Sequence, residues 1–390
     1  MNEVAAPQPL LATPPEPVQP TGSAAGRGAR RLVFLVMMFL VGIALGTVLV
    51  AIDIAPTTSL PLAVTLLLLL LALWLATLAH ESGHALAARL VGWQLLAVAA
   101  GPLTLRHTLN GPRLERNALK HAAGFVYAIP RDDVQLRRRR FIMVAGGPTA
   151  SLLVALLAVY LVRISGDGLL GTLAFQLGAM SFIISVMTLV PYRYGGLASD
   201  GAQMLKLLRG GPGVAQQLAI QLLLAALVGG VRPRDLDEAL MTRALAAGNP
   251  TDTPTGHYLA YWRDMDRSNI AGAAAHLDQA LAHRATASSF QPALAAEAAY
   301  LTARYDSAPD AAATAEAWLQ LAKPPGAIDS NYRRAEATVR LAQGRTSDAL
   351  AAADDALRLL DRASDIGGAT AEREWLMGLR EAAVTAEGSV

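Results

Sequence analysis

The sequence contains no cysteine among its 390 residues. Disulfides, thiolate nucleophiles and cysteine-based zinc sites are therefore excluded, and any metal site has to use His, Asp or Glu side chains. The chain also has little net charge, +2 at pH 7, and its basic residues cluster beside apolar runs instead of lining a soluble face. This distribution gives no support for nucleic-acid binding.

Hydrophobic residues make up 53% of the chain, which is too apolar for an ordinary soluble domain. They crowd into residues 32–231, whereas the residues that follow are Ala-rich and carry an ordinary number of charges. We therefore expect a mainly α fold, in which a polytopic membrane bundle over 27–231 is joined by a linker, 232–253, to a soluble helical domain over 254–380.

Four apolar runs are long enough to cross a bilayer core of roughly 30 Å at about 1.5 Å per residue. Residues 1–26 precede them and are predicted to be a disordered tail, because they are rich in proline and poor in large apolar side chains. A fifth segment, 213–231, contains three glutamines and is predicted to be an interfacial helix or a fifth span. The four predicted spans are residues 32–52, 60–93, 141–162 and 169–191.

Lys and Arg are distributed unevenly between the predicted spans. They are concentrated before the first span and between the second and third, whereas the loop 53–59 has none. Because cytoplasmic loops carry the excess of basic residues, four spans place both termini and the 94–140 region in the cytoplasm. We expect a multi-pass protein of a bacterial cell membrane.

Two short apolar stretches in the region 94–140, residues 95–105 and 125–129, are flanked by turn residues. They predict strands of a small sheet that lies against the membrane face. A loop of this length without secondary structure would be unusual in a compact domain.

The C-terminal region contains a weak repeat of small and apolar residues with the spacing Ala-x3-Leu-x2-Ala. Two of its copies are 34 residues apart, the period of tetratricopeptide repeats. We predict a short, divergent tetratricopeptide-like array, although any Ala-rich helical bundle can produce such matches. The copies are Ala273, Leu277 and Ala280; Ala315, Leu319 and Ala322; and Ala349, Ala353 and Ala356.

The strongest chemical signal is the motif His80-Glu81-Ser82-Gly83-His84 within the second predicted span. Residues four apart share one face of a helix, so His80 and His84 can bind one Zn2+ ion. Glu81 lies beside them, where it can act as general base towards a water molecule. A charge at mid-bilayer costs about 2–3 kcal/mol on insertion scales, so these residues should face the protein interior. The alternative is a polar cluster that packs helices together.

A catalytic zinc needs a third protein ligand, and the membrane region offers few candidates. Asp200, followed by Gly201, stands beyond the end of the fourth predicted span, where it can share the depth of His84. Asp-Gly is also an ordinary turn signal or the start of a helix. The spacing alone leaves both interpretations open.

These residues resemble the site-2 protease family of intramembrane metalloproteases over about residues 60–210. Besides the His80–His84 motif, Gly146-Gly147-Pro148 is similar to that family's Gly-Pro membrane motif, and Pro191 followed by Asp200-Gly201 is similar to its Asp-Gly motif. The resemblance implies that His80, His84 and Asp200 are zinc ligands and that Glu81 is the general base. It also implies a membrane-associated sheet that helps to position substrate. The chain departs from the family at Thr188 and Ser151, where Asn is frequent.

The sequence therefore predicts an intramembrane zinc metalloprotease, with one Zn2+ per chain, that hydrolyses peptide bonds of membrane-spanning proteins near the cytoplasmic face. Its expected partners are the lipid bilayer, a transmembrane protein substrate and a protein docked on the C-terminal helical domain. The alternatives are a catalytically silent membrane scaffold and a metal transporter. Transport usually needs His or acidic residues along several spans, whereas here they gather at one end.

Overall fold

The computed structural model describes residues 10–11, 14, 60–108, 110–116, 124–194, 197–246, 248, 252–283, 291–323 and 329–388. The first predicted span, 32–52, lies outside these residues, as does nearly all of the predicted tail, 1–26. The expectation of a mainly helical chain with a small sheet is confirmed.

Three helices in the described part of the chain are long and apolar enough to cross a membrane: α1 (Leu62–Leu90), α2 (Leu136–Ser165) and α3 (Leu169–Leu189). Their leucine side chains point outwards, which is the pattern expected of a surface in contact with lipid tails, whereas alanine and glycine face the neighbouring helices. The second of these helices begins before the predicted residue 141, because the arginines at 137–140 continue the helix into the interface.

An antiparallel sheet of four strands lies between α1 and α2 in the chain, in the order β3-β2-β1-β4. The predicted strands are present, and the sequence analysis missed β3. The sheet rests on α1 through Trp74, whose indole Nε1 donates to the carbonyl of Ala100 at 3.4 Å. The strands are β1 (Gln94–Ala100), β2 (Leu103–Thr108), β3 (Gly111–Arg116) and β4 (Gly124–Ile129).

After α3, a two-residue pairing of β5 (Arg193–Tyr194) with β6 (Leu197–Ala198) leads into α4 (Asp200–Arg209). The next helix, α5 (Pro212–Val228), follows at an angle of 110°. Gly210 and Gly211 form the break, and both have the positive φ that glycine adopts without strain. Together α4 and α5 are long and apolar enough to count as one broken span.

Two of the three glutamines of α5, which suggested an interfacial helix, form hydrogen bonds to other protein groups. Gln216 is buried and its Nε2 donates to the carbonyl of Ala244, while the Oε1 of Gln217 accepts from Lys206 Nζ. The apolar side of α5, including Leu223 and Leu227, belongs to a core that it shares with the helices beyond it. The helix is therefore covered by protein along most of its length.

The segment 232–253, predicted to be a linker, instead forms a 3-10 turn (Pro233–Asp235) and α6 (Glu238–Leu245). Met241 and Ala244 of α6 are fully buried, and they fix the direction in which the chain leaves α5. In its described residues, the C-terminal domain continues with seven helices: α7 (Thr253–Asp266), α8 (Ile270–Ala282), α9 (Gln291–Tyr305), α10 (Ala311–Ala322), α11 (Ser330–Ala342), α12 (Thr346–Leu360) and α13 (Ile366–Gly388).

The residues of the predicted repeat all lie on the inner faces of α8, α10 and α12, and all are buried. This burial explains why alanine recurs there, because small side chains let neighbouring helices approach closely. It does not distinguish a tetratricopeptide array from another helical bundle, so the repeat assignment stays a prediction.

The helical domain is fastened to the rest of the chain by polar contacts. Arg232 forms ion pairs with Asp266 of α7 and Glu374 of α13. At the sheet, Ser364 Oγ donates to the carbonyl of His107, and Asn110 Nδ2 donates to the carbonyl of Asp361. The domain therefore contacts the sheet as well as α5.

Candidate metal centre

His80 and His84 lie on the same buried side of α1, one turn apart. Their rings meet edge to face with centroids 4.8 Å apart, and their Nε2 atoms are 3.2 Å from each other. The preceding turns of α1 consist mainly of Leu, Ala and Thr, which suit a helix within a bilayer. The spacing of four residues then places the two imidazoles on the same helix face. The motif thus delivers two nitrogen donors to one point.

The remaining ring nitrogens hold the two imidazoles in place. His84 Nδ1 lies 3.0 Å from the carbonyl oxygen of Met143, and the backbone N–H of Gly147 also approaches it, at 3.2 Å. The tautomer with its proton on Nδ1 donates to the Met143 carbonyl and leaves the Nε2 lone pair of His84 for a metal. His80 Nδ1 is 2.9 Å from the hydroxyl of Ser151, which is fully buried in α2.

Asp200 reaches the two imidazoles from the first residue of α4. Its Oδ2 is 3.2 Å from His80 Nε2 and its Oδ1 is 3.5 Å from His84 Nε2. The preceding residue, Ser199, caps the helix: its Oγ accepts from the backbone N–H of Ala202 and donates to the carbonyl of Val190. Asp200 is thereby held at the junction of α3 and α4.

The glycine after Asp200 is required by a close approach of the backbone. A Cβ at Gly201 would overlap the carbonyl oxygen of Leu189, the last residue of α3. The Asp-Gly pair therefore combines a carboxylate with a glycine, whose missing Cβ lets the end of α3 approach the first turn of α4.

Glycines also set the contact between α1 and α2. Gly83 and Gly146 pack backbone to backbone, and a Cβ at Gly147 would overlap His84 Nε2. These contacts support a packing role for the glycines at 146–147. The two helices come close enough for Ser151 and the carbonyl of Met143 to reach the imidazoles.

Glu81 is buried next to the histidines, with 7% of its surface exposed. Its carboxylate lies against the backbone of Gly124, so closely that a Cβ there would meet Glu81 Oε1 at 2.5 Å. Gly124 is the first residue of β4. The start of an edge strand and a buried carboxylate are thus brought together beside the two imidazoles.

Three donor groups converge, and their chemistry suits a metal ion. One atom from each of His80, His84 and Asp200 lies within 4.8 Å of the others. Two imidazole nitrogens and one carboxylate oxygen form a donor set that Zn2+ accepts, with its fourth position left for water or substrate. The sequence predicted all three residues and Glu81. It gave no bonding role to Ser151, although the departure from the family pattern had drawn attention to it.

Comparison with protein-family models matches residues 68–223 to Peptidase family M50, the family of the site-2 proteases. The matched range begins within α1 and ends within α5, so it contains every residue of the candidate metal centre. The resemblance stated from the motifs is confirmed for this part of the chain. Comparisons with curated proteins and with solved structures gave no match.

Proposed function

We propose, from the match of residues 68–223 to peptidase family M50, that this chain is a zinc metalloendopeptidase that cleaves membrane-spanning proteins within the bilayer. The family supports a metalloprotease of the membrane. The assignments of Zn2+ to His80, His84 and Asp200, and of general base to Glu81, are part of the proposal.

The observation that carries the proposal is the convergence of these three ligand atoms beside a buried carboxylate that is not one of them. The Nδ1 atoms contact Ser151 Oγ and the Met143 carbonyl, so the Nε2 atoms of both imidazoles and the Asp200 oxygens face one another. This arrangement supports a metal site, because it directs two nitrogen ligands and one oxygen ligand to one point.

In this mechanism Zn2+, when bound, lowers the pKa of water and polarises the scissile carbonyl. Glu81 takes the proton from the attacking water and passes it to the leaving amine. Ser151 and the Met143 carbonyl hold the imidazoles in the orientation that the metal requires. The start of β4, in contact with Glu81, is well situated to lie alongside a substrate segment that has unwound from its helix.

The site is proposed to open towards the cytoplasm of a bacterial cell. At 1.5 Å per residue, His80 is about 27 Å along α1 from Leu62, which is most of a bilayer core. The excess of basic residues in 94–140 favours a cytoplasmic position for the sheet that this region forms. The helical domain contacts this sheet, so it is proposed to occupy the same side and to dock a partner or the cytoplasmic part of the substrate.

Replacement of Glu81 by Gln tests the catalytic assignment. The Glu81→Gln variant should keep about one zinc per chain and lose cleavage, since general-base catalysis contributes roughly 10²–10⁴-fold. Ser82→Ala is the matched control, because Ser82 belongs to the same motif but its side chain is exposed on α1. The measurement is zinc content of the purified chain, together with proteomic comparison of membrane-protein fragments in cells that carry each variant.

Each alternative gives a different result in this experiment. A silent scaffold would show no difference in fragments between wild type and Glu81→Gln. A transporter would move metal across vesicles without producing fragments. Normal cleavage by Glu81→Gln would overturn the proposed mechanism.

The topology has its own test. Alkaline phosphatase fused after Val390 should be inactive, and a fluorescent protein fused there should be bright, if the C-terminus is cytoplasmic. An active phosphatase would move the helical domain to the outer side and exclude cytoplasmic docking.

A further inference from the structure

A short segment near the N-terminus is built into the C-terminal helical domain. Leu11 is 5% exposed and belongs to the same apolar cluster as buried side chains of α7 to α11. Leu10 packs against that cluster from its half-buried margin. A part of the chain that the sequence predicted to be a disordered tail therefore contributes a side chain to the core of a domain that begins more than 200 residues later.

The backbone of this segment is recognised as well as its side chains. The N–H of Leu10 donates to Oδ2 of Asp306 at 3.1 Å. The other oxygen of that carboxylate accepts from the backbone N–H of Ala308 at 2.9 Å. The turn after α9 thus holds the carboxylate in place through its own backbone, so the acceptor is oriented whether or not the segment is bound.

The sequence around the two leucines is that of a short recognition motif. Within 1–26 they are the only adjacent pair of large apolar residues, and Pro7, Pro9 and Pro14 lie on either side. Proline restricts φ and favours an extended chain, which lowers the conformational entropy lost on binding.

We propose that the helical domain carries a binding site for an uncharged Leu-Leu segment flanked by proline, and that the chain's own Leu10 and Leu11 occupy this site. The apolar cluster takes the leucine side chains, and Asp306 takes the backbone N–H. Because the ligand is part of the chain, its binding is intramolecular and does not depend on the protein concentration. A partner segment of the same chemistry then binds only by displacing it, so the tail keeps the docking site closed. This holds independently of the zinc chemistry.

The absence of cysteine makes the site directly measurable. In the full-length protein, Leu11→Cys introduces a single thiol, and Met377→Cys is the exposed control, since Met377 is 59% exposed on α13. We expect maleimide to label Cys at position 11 at least about 10-fold more slowly than Cys at position 377, because labelling requires the segment to leave its site. Equal rates in the folded protein would overturn the proposal.

Competition distinguishes a binding site from a fixed piece of core. A synthetic peptide of residues 6–16 should accelerate the labelling of Cys at position 11, whereas the same peptide with both leucines replaced by Ser should not. Acceleration by neither peptide, or by both equally, would contradict a displaceable Leu-Leu ligand.

The contribution of Asp306 is tested by Asp306→Asn, with Asp310→Asn as the exposed neighbouring control. The Asn keeps an acceptor for Ala308 but sets an N–H2 group against the N–H of Leu10, so labelling at position 11 should become about 3–10-fold faster. Because Cys is smaller than Leu, Leu11→Cys can itself weaken the docking of the segment. Hydrogen exchange of the chain without this substitution avoids that effect: the Leu10 amide should be protected in wild type and lose its protection in Asp306→Asn. An unprotected Leu10 amide in wild type would refute the recognition described here.

Discussion

The membrane region and the helical domain each contain a buried polar cluster, and the two clusters differ in whether they include a cation of their own. In the membrane region, imidazole nitrogens and a carboxylate converge from α1 and α4. In the helical domain, Arg334 is fully buried between Glu297 and Glu372. The first cluster gathers donors of electron pairs, which suits a cation supplied from outside. The second contains its own cation, which suits a structural role.

Direct hydrogen bonds join Arg334 to the Glu297 side of the helical-domain cluster. Arg334 Nη2 donates to both oxygens of Glu297, at 2.7 and 2.8 Å, and Tyr261 donates its hydroxyl proton to the same carboxylate. The guanidinium also lies over the rings of Tyr300 and Trp375, at 4.3 and 5.0 Å from their centroids. Loss of one partner from such a network is costly, although the pair by itself is weak evidence of net stability.

The largest expected effect is the loss of function in Asp200→Ala. Removal of one of three ligands should abolish both zinc binding and cleavage, while the unfolding of the helical domain changes by no more than about 0.5 kcal/mol. Asp235→Ala, at an exposed position, is the control. Zinc content and a cleavage assay provide the measurement, and full zinc occupancy in Asp200→Ala would place the third ligand elsewhere.

Arg334→Met should have the reverse effect. It leaves two buried carboxylates without their cation, so the helical domain should lose about 3–5 kcal/mol of unfolding free energy while zinc content stays the same. Arg358→Met, on the exposed side of α12, should change stability little. Denaturant unfolding followed by circular dichroism measures the difference. Comparable losses in the two variants would mean that the buried network has no special role.

Stability of the helical domain should fall as the pH rises. Burial raises the pKa of Glu372 from its usual 4.5 to about 7, although Arg334 opposes the shift. The folded state therefore favours the protonated carboxyl, so its contribution is complete below pH 4.5 and is lost as the pH rises through 7. At 1.36 kcal/mol per pKa unit, the loss is up to about 3 kcal/mol.

Thermal unfolding between pH 5 and 8 tests this dependence against Glu372→Gln. The variant should show a smaller slope. Some slope should remain, because burial also raises the pKa of Asp365, to about 6. A slope identical to that of wild type would show that Glu372 does not titrate in this range.

The smallest effect is expected at Ser151. Ser151→Ala removes the hydroxyl that orients His80, and loss of such a supporting bond typically lowers metal affinity about 10–100-fold. Ser181→Ala is a close match, because Ser181 is equally buried, on α3, and its hydroxyl has no hydrogen-bond partner among the described residues. Competition with a zinc chelator should separate the two variants, and equal affinities would remove Ser151 from the site.

The membrane cluster was largely predictable from sequence because its geometry is local or marked by motifs. His80 and His84 share a helix face through their spacing alone, and Asp200 is followed by a glycine that the fold requires at Leu189. The bonds from Ser151 and Met143 depend on how α2 lies against α1, and no local pattern encodes that contact.

The glutamines of α5 left the sequence analysis with two alternatives, an interfacial helix or a fifth span, for a similar reason. A polar side chain in an apolar segment has the same pattern whether it meets lipid headgroups or the carbonyl of Ala244. The pairing of Arg334 with Glu297 could not be predicted from the sequence either, because the two residues are 37 positions apart on different helices.

The burial of α5 on both sides has a practical consequence for dividing the chain. The family match ends at residue 223, five residues before the helix does. A fragment that stops there would carry an unfinished helix, and its Leu223 would lose its packing against Met241 and Leu259. A boundary after α7 would not avoid this loss, because Tyr261, Trp262 and Met265 of α7 belong to the core of α8 to α11. A chimera or expression fragment should instead retain the whole helical domain.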